Sequence, residues 1–159
     1  MIFVTVGSRS FQFDRLIKAL DEQVGNGKIT MEIFAQIGAT NYKPKNFKYK
    51  DFLNRDEFKQ MQADSDIIIT HGGTGVIVNA SKMNKKIIGV PRLKKYNEHV
   101  DDHQIELLKE FEKAKMILVC ENVDELYKVI EKVTQTEFIQ YKSNTNNILN
   151  SIEEFIENI

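Results

Sequence analysis

The sequence predicts an α/β fold in which a mostly parallel sheet carries helices on both faces. Two observations support this prediction: short apolar runs alternate with longer amphipathic segments, and several of the runs end at glycine or proline. Such an alternation favours one parallel sheet, because each crossover helix packs back onto the strands that it joins. The length of 159 residues suits one Rossmann-like domain, so we expect residues 1–159 to form a single domain.

The first half of the chain contains three candidate strands and two candidate helices. Each strand is predicted from a short apolar run, and the first run stops at Gly7. The helices are predicted from apolar residues at helical spacing or from a capping side chain at Asn54 or Asp56. The predicted elements are strand 2–6, helix 13–24, strand 29–37, a possible short strand 47–49, and a helix from position 54 or 56 to about position 63.

The second half continues the same alternation. The run at 66–70 leads directly into a glycine-rich loop, and the run at 87–90 ends at Pro91. The predicted elements are strand 66–70, helix 76–83, strand 87–90, helix 97–111, strand 116–119, helix 123–133 and helix 147–159. The last helix, within residues 146–159, has an apolar stripe at helical spacing, which favours either docking of a partner or packing on the chain's own sheet.

Composition and charge exclude several classes of protein. A net charge of −1 gives no general attraction for nucleic acid. The single cysteine, Cys120, excludes an internal disulfide framework and a cysteine-based zinc cluster, and its apolar neighbours predict a buried structural thiol. The sequence shows no signal peptide and no apolar stretch near the ~20 residues that span a bilayer. We therefore expect a cytoplasmic protein that reaches the membrane only through a partner.

The turn after strand 2–6 is the first of three candidate ligand segments. Ligands of parallel α/β sheets bind beyond the carboxyl ends of the strands, where this turn lies. Gly7 permits close approach of a ligand to the backbone, Ser8 offers a hydroxyl group and Arg9 a positive charge. The alternative is an ordinary turn between a strand and a helix.

The second segment is the glycine-rich loop after strand 66–70. Small residues at the start of a helix leave backbone N–H groups open to phosphate or sugar oxygens. His71 would hydrogen-bond a ligand or only cap the strand end, and Asn79 lies about one helical turn beyond the loop. The predicted site residues here are His71, Gly72, Gly73, Thr74, Gly75 and Asn79.

The third segment, residues 91–104, is rich in polar side chains and precedes a predicted helix. His99 and His103 would share one helix face with Asp102 nearby, but no third ligand for a metal is evident. Hydrogen bonds to sugar hydroxyls are the favoured interpretation, and a solvated helix start is the alternative. Arg92 directly follows a strand end, so we expect it to neutralise a phosphate.

The order of these motifs resembles the C-terminal, donor-binding domain of the GT-B glycosyltransferases of family 28. The resemblance extends from residue 1 to about residue 129 and rests on Phe3-Val-Thr-Val-Gly7, Ala63-Asp-Ser-Asp66, His71-Gly-Gly-Thr-Gly75, Val90-Pro91 and Asp102-His-Gln104. The chain looks most similar to a stand-alone form of that domain, the bacterial subunit of exopolysaccharide and capsule β-1,4-galactosyltransferases. A related stand-alone form is the catalytic subunit that adds the second GlcNAc to a dolichol-linked precursor.

The resemblance implies that the chain is one half of a GT-B enzyme and binds a UDP-sugar. Gly7 and Ser8 would face the diphosphate, the backbone at Phe52 and Leu53 the uracil, and the loop 71–75 the diphosphate and ribose. Asn79 stands where two-domain members have a Glu for the ribose hydroxyls, and a neutral amide should bind ribose less strongly. The residues implied to contact the donor sugar are Asp102, His103 and Gln104.

The implied reaction is inverting transfer of a hexose, with galactose preferred, from a UDP-sugar to a lipid-linked acceptor. A membrane-anchored partner subunit would bind the acceptor at the inner face of the cell membrane. Candidates for a base in this chain are Glu98, His99 and His71. No cofactor or metal is expected, because Asp64-Ser-Asp66 enters its strand at the amino end, away from the ligand edge. The alternatives are a UDP-GlcNAc transferase subunit, a non-catalytic enhancer of a membrane glycosyltransferase, or a nucleotide-binding regulator.

Overall fold

A parallel sheet forms the centre of the protein, whose computed structural model describes residues 1–141. The predicted last helix, 147–159, lies outside the described residues. The strands are β1 Ile2–Thr5, β2 Ile33–Gln36, β3 Lys48–Lys50, β4 Ile67–Thr70, β5 Lys86–Gly89 and β6 Leu118–Val119. Within residues 1–141 they form a six-stranded, entirely parallel sheet in the order β3-β2-β1-β4-β5-β6.

Helices cover both faces of the sheet. They are α1 Asp14–Gly25, α2 Arg55–Asp64, α3 Thr74–Lys82, α4 His103–Lys113 and α5 Leu126–Thr134. Successive strand residues point to opposite faces, so Val4 of β1 packs with α1 and α5, whereas Phe3 packs with α3 and α4. The ring of Phe58 in α2 meets Phe3 edge-on, with centroids 5.2 Å apart. The predicted sheet with helices on both faces is thereby confirmed.

Two predicted elements begin four or more residues before the observed ones. The strand expected at 29–37 begins only at Ile33, because the Ile29 N–H donates to the carbonyl of Gln23 and closes the turn after α1. The helix expected at 97–111 begins only at His103. Asn97 has a positive φ of 56° and ends a short 3-10 helix, Lys94–Tyr96, so the chain cannot continue as an α-helix there.

The strand order places a crevice at the carboxyl edge of the sheet. From β1 the strands run outward in one direction through β2, and from β4 in the other through β5, so the chain continues from β1 and β4 into helices, α1 and α3, on opposite faces of the sheet. Thr5 pairs with Thr70, which pairs with Gly89, so the three strands end side by side. The three segments expected to bind a ligand therefore meet at one edge.

Cys120 is 3% exposed, as expected of a structural thiol, and burial raises its pKa to about 11. Asp66, the last residue of the Asp64-Ser-Asp66 motif, accepts a hydrogen bond from the amino group of Met1 at the amino end of β4. This position confirms that the motif lies away from the ligand edge. Within residues 1–141, no helix has the length and apolar character needed to cross a bilayer.

Candidate functional site

Two neighbouring clefts at the carboxyl edge contain most of the predicted site residues. The α2 cleft, of about 520 Å³, lies between the ends of β1 and β2 and the start of α2. Its predicted residues are Gly7, Ser8, Phe52, Leu53, Gly75 and Asn79. The α4 cleft, of about 450 Å³, lies between the loop after β4 and the start of α4. Its predicted residues are Arg9, His71, Gly72, Gly73, Thr74, His99, His103 and Gln104.

The clefts meet where the loops after β1 and β4 touch. Gly7 has a φ of +80°, a conformation open mainly to glycine. A Cβ atom at this position would lie 2.5 Å from Nε2 of His71, so a larger residue would collide with the imidazole. Gly7 therefore allows the two loops to lie in direct contact, and each cleft has one of them as a wall.

The amino end of α3 projects between the clefts. Gly73 is the N-cap residue, and no side chain among the described residues caps this helix start. The first turn also carries no acidic residue to offset the positive end of the helix dipole. Its backbone N–H groups can therefore attract a ligand anion. A Cβ atom at Gly75 would have no neighbour within 4 Å outside its own helix and adjoining residues. This open, uncapped helix start suits a phosphate group.

His71 is held as a neutral imidazole. Burial lowers the pKa of His71 to about 3, and the charges of Arg92, Arg9 and His99 act in the same direction. Its Nδ1 has no hydrogen-bond partner within residues 1–141. At neutral pH the ring can therefore exchange hydrogen bonds with a ligand, but a pKa this low makes it a weak general base.

The loop before α2 is fixed by two sets of hydrogen bonds. The Leu53 N–H donates to Oε1 of Gln36 at 2.9 Å, and Nε2 of Gln36 donates to the Thr5 hydroxyl. Asn54 and Glu57 form a capping box at the start of α2. Phe52 remains 56% exposed, so its ring is available at the mouth of the α2 cleft.

Gln36 is a site residue that the sequence analysis missed. It lines the α2 cleft and is 5% exposed. A signal was present in the sequence, since Gln36 is the polar residue at the carboxyl end of the otherwise apolar run from Ile33 to Ile37. An amide at that place in a buried strand indicates either a buried hydrogen-bond network or a ligand contact.

The expectation that Arg92 neutralises a phosphate directly requires correction. Arg92 is 1% exposed and lines neither cleft. Its Nη1 donates to the carbonyls of Phe11 and Gln12, both at 3.1 Å, and its Nη2 donates to the carbonyl of Val6. Burial lowers the pKa of Arg92 to about 10, so the group remains a cation at neutral pH. The guanidinium binds backbone oxygens in place of a ligand.

Glu98 cannot act as the base that the sequence suggested. Its side chain is 0% exposed, and Oε1 and Oε2 accept from Arg15 at 2.9 and 3.0 Å. Oε1 also accepts from the Leu93 N–H. A carboxylate enclosed in this way has no open path to an acceptor hydroxyl.

The histidines and acids of the third segment are arranged differently from the helix face that was expected. His99 precedes α4, so it does not share a helical turn with His103, although both line the α4 cleft. Asp102 is exposed, accepts from the Lys94 N–H at 2.9 Å and lines neither cleft. Its neighbour Asp101 lines the α4 cleft and lies 3.3 Å from Nδ1 of His99. Asp101, in place of the expected Asp102, is thus the acid of this segment that lines the α4 cleft.

Gln104 lines the α4 cleft with one end of its amide already bound. Its Oε1 accepts from the Arg92 N–H at 3.0 Å. The Nε2 group is therefore the end that can donate to a ligand oxygen.

A third and larger groove, of about 610 Å³, runs along α2 and α3. It shares Lys59, Gln62 and Asn79 with the α2 cleft, but none of the glycine loops lines it. The two clefts at the carboxyl edge, which contain these loops, are therefore the candidate ligand site. Within residues 1–141, no three His, Cys, Asp or Glu side chains are grouped to hold a metal ion.

Solved glycosyltransferase structures have the same fold. CalG4, the calicheamicin glycosyltransferase, aligns with a TM-score of 0.59 at 11% identity, over 96% of this chain and 38% of that one. The NMR structure of ALG13 aligns with a TM-score of 0.58 at 16% identity, over 93% of this chain and 94% of that one. MurG of Acinetobacter baumannii aligns with a TM-score of 0.52 at 18% identity, over 84% and 42%. At these identities the similarity shows the fold alone.

Sequence comparison adds one curated human relative. The UDP-N-acetylglucosamine transferase subunit ALG13 of Homo sapiens is 28% identical over 128 residues. This match covers 75% of the present chain and 11% of the human protein, so the chain spans a small part of that relative's length.

The family comparison covers all of the sequence. The family model of the glycosyltransferase family 28 C-terminal domain matches residues 1–159. The fold, the glycine loops at the carboxyl edge and this match agree with the resemblance seen in the motif order. The chain therefore belongs to the glycosyltransferase family 28 C-terminal domain family.

Proposed function

We propose that this chain is the donor-binding subunit of a two-subunit glycosyltransferase and that its donor is UDP-GlcNAc. The observation that carries the proposal is the uncapped start of α3, which separates two clefts in a member of glycosyltransferase family 28. The human relative is named as a subunit of a UDP-N-acetylglucosamine transferase. That name supports the N-acetylglucosaminyl alternative over the galactosyl function that the motif pattern suggested.

In this proposal the donor spans both clefts. The uridine lies in the α2 cleft, with the uracil near the backbone at Phe52 and Leu53 and the ribose near Asn79. The diphosphate lies across Gly7 and the start of α3, where backbone N–H groups and the exposed Arg9 offset its charge. The sugar enters the α4 cleft, beside His103 and the amide of Gln104.

The chemistry proposed is inverting transfer with UDP as the leaving group. Negative charge develops on the diphosphate as the glycosidic bond breaks, and the N–H groups of α3 stabilise it without reorganisation. A base must take the proton of the acceptor hydroxyl. Of the three candidates in this chain, Glu98 is enclosed and His71 is a weak base, which leaves His99 or a group of the partner.

The acceptor side is proposed to come from a second polypeptide. A GT-B active site lies between two domains, and this chain supplies one wall. The partner would be membrane-anchored and would present a lipid-linked sugar at the cytoplasmic face. Residues 146–159, which lie outside the described residues and whose sequence has apolar residues at helical spacing, are the proposed contact.

Calorimetric titration of the purified chain tests the donor site. We expect UDP and UDP-GlcNAc to bind, UDP-galactose and UDP-glucose to bind more weakly, and GDP to show no measurable binding. Absence of UDP binding would contradict the donor site. Preference for UDP-galactose would restore the galactosyl alternative.

Reconstitution with the partner tests the reaction. We expect turnover with a lipid-linked acceptor only when both subunits are present, and we expect it to persist in EDTA because the proposed chemistry uses no metal. UDP binding without turnover by the pair would support the non-catalytic enhancer. Turnover by the single chain would contradict the two-subunit proposal.

A further inference from the structure

We infer that Arg92, held by Glu98 and Arg15, is a positioning residue that shapes the loop after β1 for the donor diphosphate. This inference rests on the proposed function. The cluster of Arg92, Glu98 and Arg15 lines neither cleft, so these side chains are not proposed to touch the donor.

The guanidinium binds the two ends of one loop at once. Val6 precedes Gly7 at the carboxyl end of β1, and its carbonyl accepts from Nη2 of Arg92. Phe11 and Gln12 stand at the far end of the loop, and their carbonyls accept from Nη1 at 3.1 Å each. Residues 7–10 lie between these bonded ends, so their path depends on Arg92.

A second layer holds the guanidinium in place. The backbone carbonyl of Glu98 accepts from Nη1 of Arg92 at 3.3 Å. The Glu98 carboxylate is in turn bound by two nitrogens of Arg15, which also donates to the carbonyl of Pro91 at 3.0 Å. The Arg92 guanidinium lies over the Phe13 ring, 4.9 Å from its centroid.

The same cluster connects the phosphate loop with the α4 cleft. The backbone N–H of Arg92 donates to Oε1 of Gln104, which lines that cleft. The side-chain amide of Gln12 donates to the carbonyls of Tyr96 and Asn97, at 2.8 and 3.3 Å. The loops proposed to bind the diphosphate and the sugar are thus fixed to each other.

Charge supports the same assignment. Arg15 pairs with the Glu98 carboxylate, whereas Arg92 donates to backbone carbonyls, so the cluster keeps one net positive charge beneath the loop. Buried charges are screened less by solvent than exposed ones, so this charge favours an anion above the loop without contact. The affinity for uridine, which carries no charge, should not depend on this buried charge.

The test compares uridine, UMP and UDP binding by calorimetry in Arg92→Lys, Arg92→Met and Glu98→Gln. Lysine keeps the charge but lacks the planar fork that reaches carbonyls at both ends of the loop. We expect UDP affinity to fall about tenfold or more in Arg92→Met and less in Arg92→Lys. Uridine affinity should stay within about twofold in both variants. Lys94→Met, which removes an exposed cation two residues along, should bind all three ligands as the wild type does.

Hydrogen exchange supplies a measurement that needs no ligand. Backbone amides of residues 7–12 should exchange faster in Arg92→Lys and Glu98→Gln, while amides of β4 stay protected. The inference would be overturned if the folded variants bound UDP as tightly as the wild type and showed unchanged amide exchange. It would also be overturned if the variants lost equal affinity for uridine and UDP. If the wild type itself fails to bind UDP, the proposed function fails, whereas the exchange result still tests the shaping of the loop.

Discussion

Gly7 faces His71 so closely that a methyl group at position 7 would lie 2.5 Å from the imidazole Nε2. The two residues follow neighbouring strands, β1 and β4, whose ends are paired in register. This contact sets the separation of the two clefts. It also makes position 7 the most constrained point of the proposed donor site.

Gly7→Ala should therefore destabilise the protein and weaken UDP binding. A non-glycine residue at this positive φ costs about 1–3 kcal/mol, and the contact with His71 adds to that cost. Urea unfolding measures the loss of stability, and calorimetry measures the affinity. In the double variant Gly7→Ala/His71→Ala, the loss of stability caused by the clash should be absent. The loss caused by the positive φ should persist. If Gly7→Ala lowers the free energy of unfolding as much in the His71→Ala variant as in the wild type, the clash is ruled out.

Gly75→Leu should block UDP binding while leaving the fold intact. A side chain at position 75 enters open space in the α2 cleft, and glycine inside a helix is less favourable than leucine by about 0.5–1 kcal/mol. We expect an unchanged or higher melting temperature together with loss of measurable UDP binding. Gly75→Ala is the matched control and should retain most of the affinity. Normal UDP affinity in Gly75→Leu would move the ligand out of the α2 cleft.

Asn79→Glu should tighten binding of uridine by about fivefold, because a hydrogen bond to a charged acceptor is stronger by about 1 kcal/mol. Lys59 and Lys82 line the same groove as Asn79, so a carboxylate is compatible with the local charge. Asn79→Gln adds the same length without charge and should not tighten binding. A gain with Gln equal to that with Glu would assign the effect to side-chain length.

The neutral state of His71 predicts how stability depends on pH. The folded pKa is about 3 and the ordinary value is 6.5. Between these values the unfolded chain binds a proton that the folded chain does not, so stability is lost as the pH falls through this window. Denaturant unfolding at pH 7 and pH 4 should show a larger loss in the wild type than in His71→Asn. Identical losses would contradict a neutral, buried imidazole.

Local sequence patterns predicted the framework well because they reflect burial. The runs that became β1, β4 and β5 are apolar on both faces, as expected of strands in a parallel sheet covered on both sides. The same reasoning extended β2 too far, since Ile29 is buried without belonging to the ladder. Apolar side chains report burial, and they do not report which backbone groups pair.

The site was predicted less completely, because some of its residues form hydrogen bonds with residues that are distant in the sequence. The glycine loops were predicted from local composition and Phe52 from the family resemblance, and both lie at the clefts. Glu98 and Arg92 looked like ligand groups because charged side chains follow a strand end. Their partners, Arg15 and the loop after β1, lie more than 75 positions earlier in the sequence. No local pattern indicates such pairings.

The buried Cys120 gives the protein a practical advantage for spectroscopy. With a pKa of about 11, roughly one thiol in ten thousand is ionised at neutral pH, so Cys120 should react very slowly with maleimides. A cysteine introduced at the exposed position of Phe52 would then be the one fast-reacting thiol, since the sequence contains a single native cysteine. A fluorophore attached there would report directly on occupation of the cleft mouth.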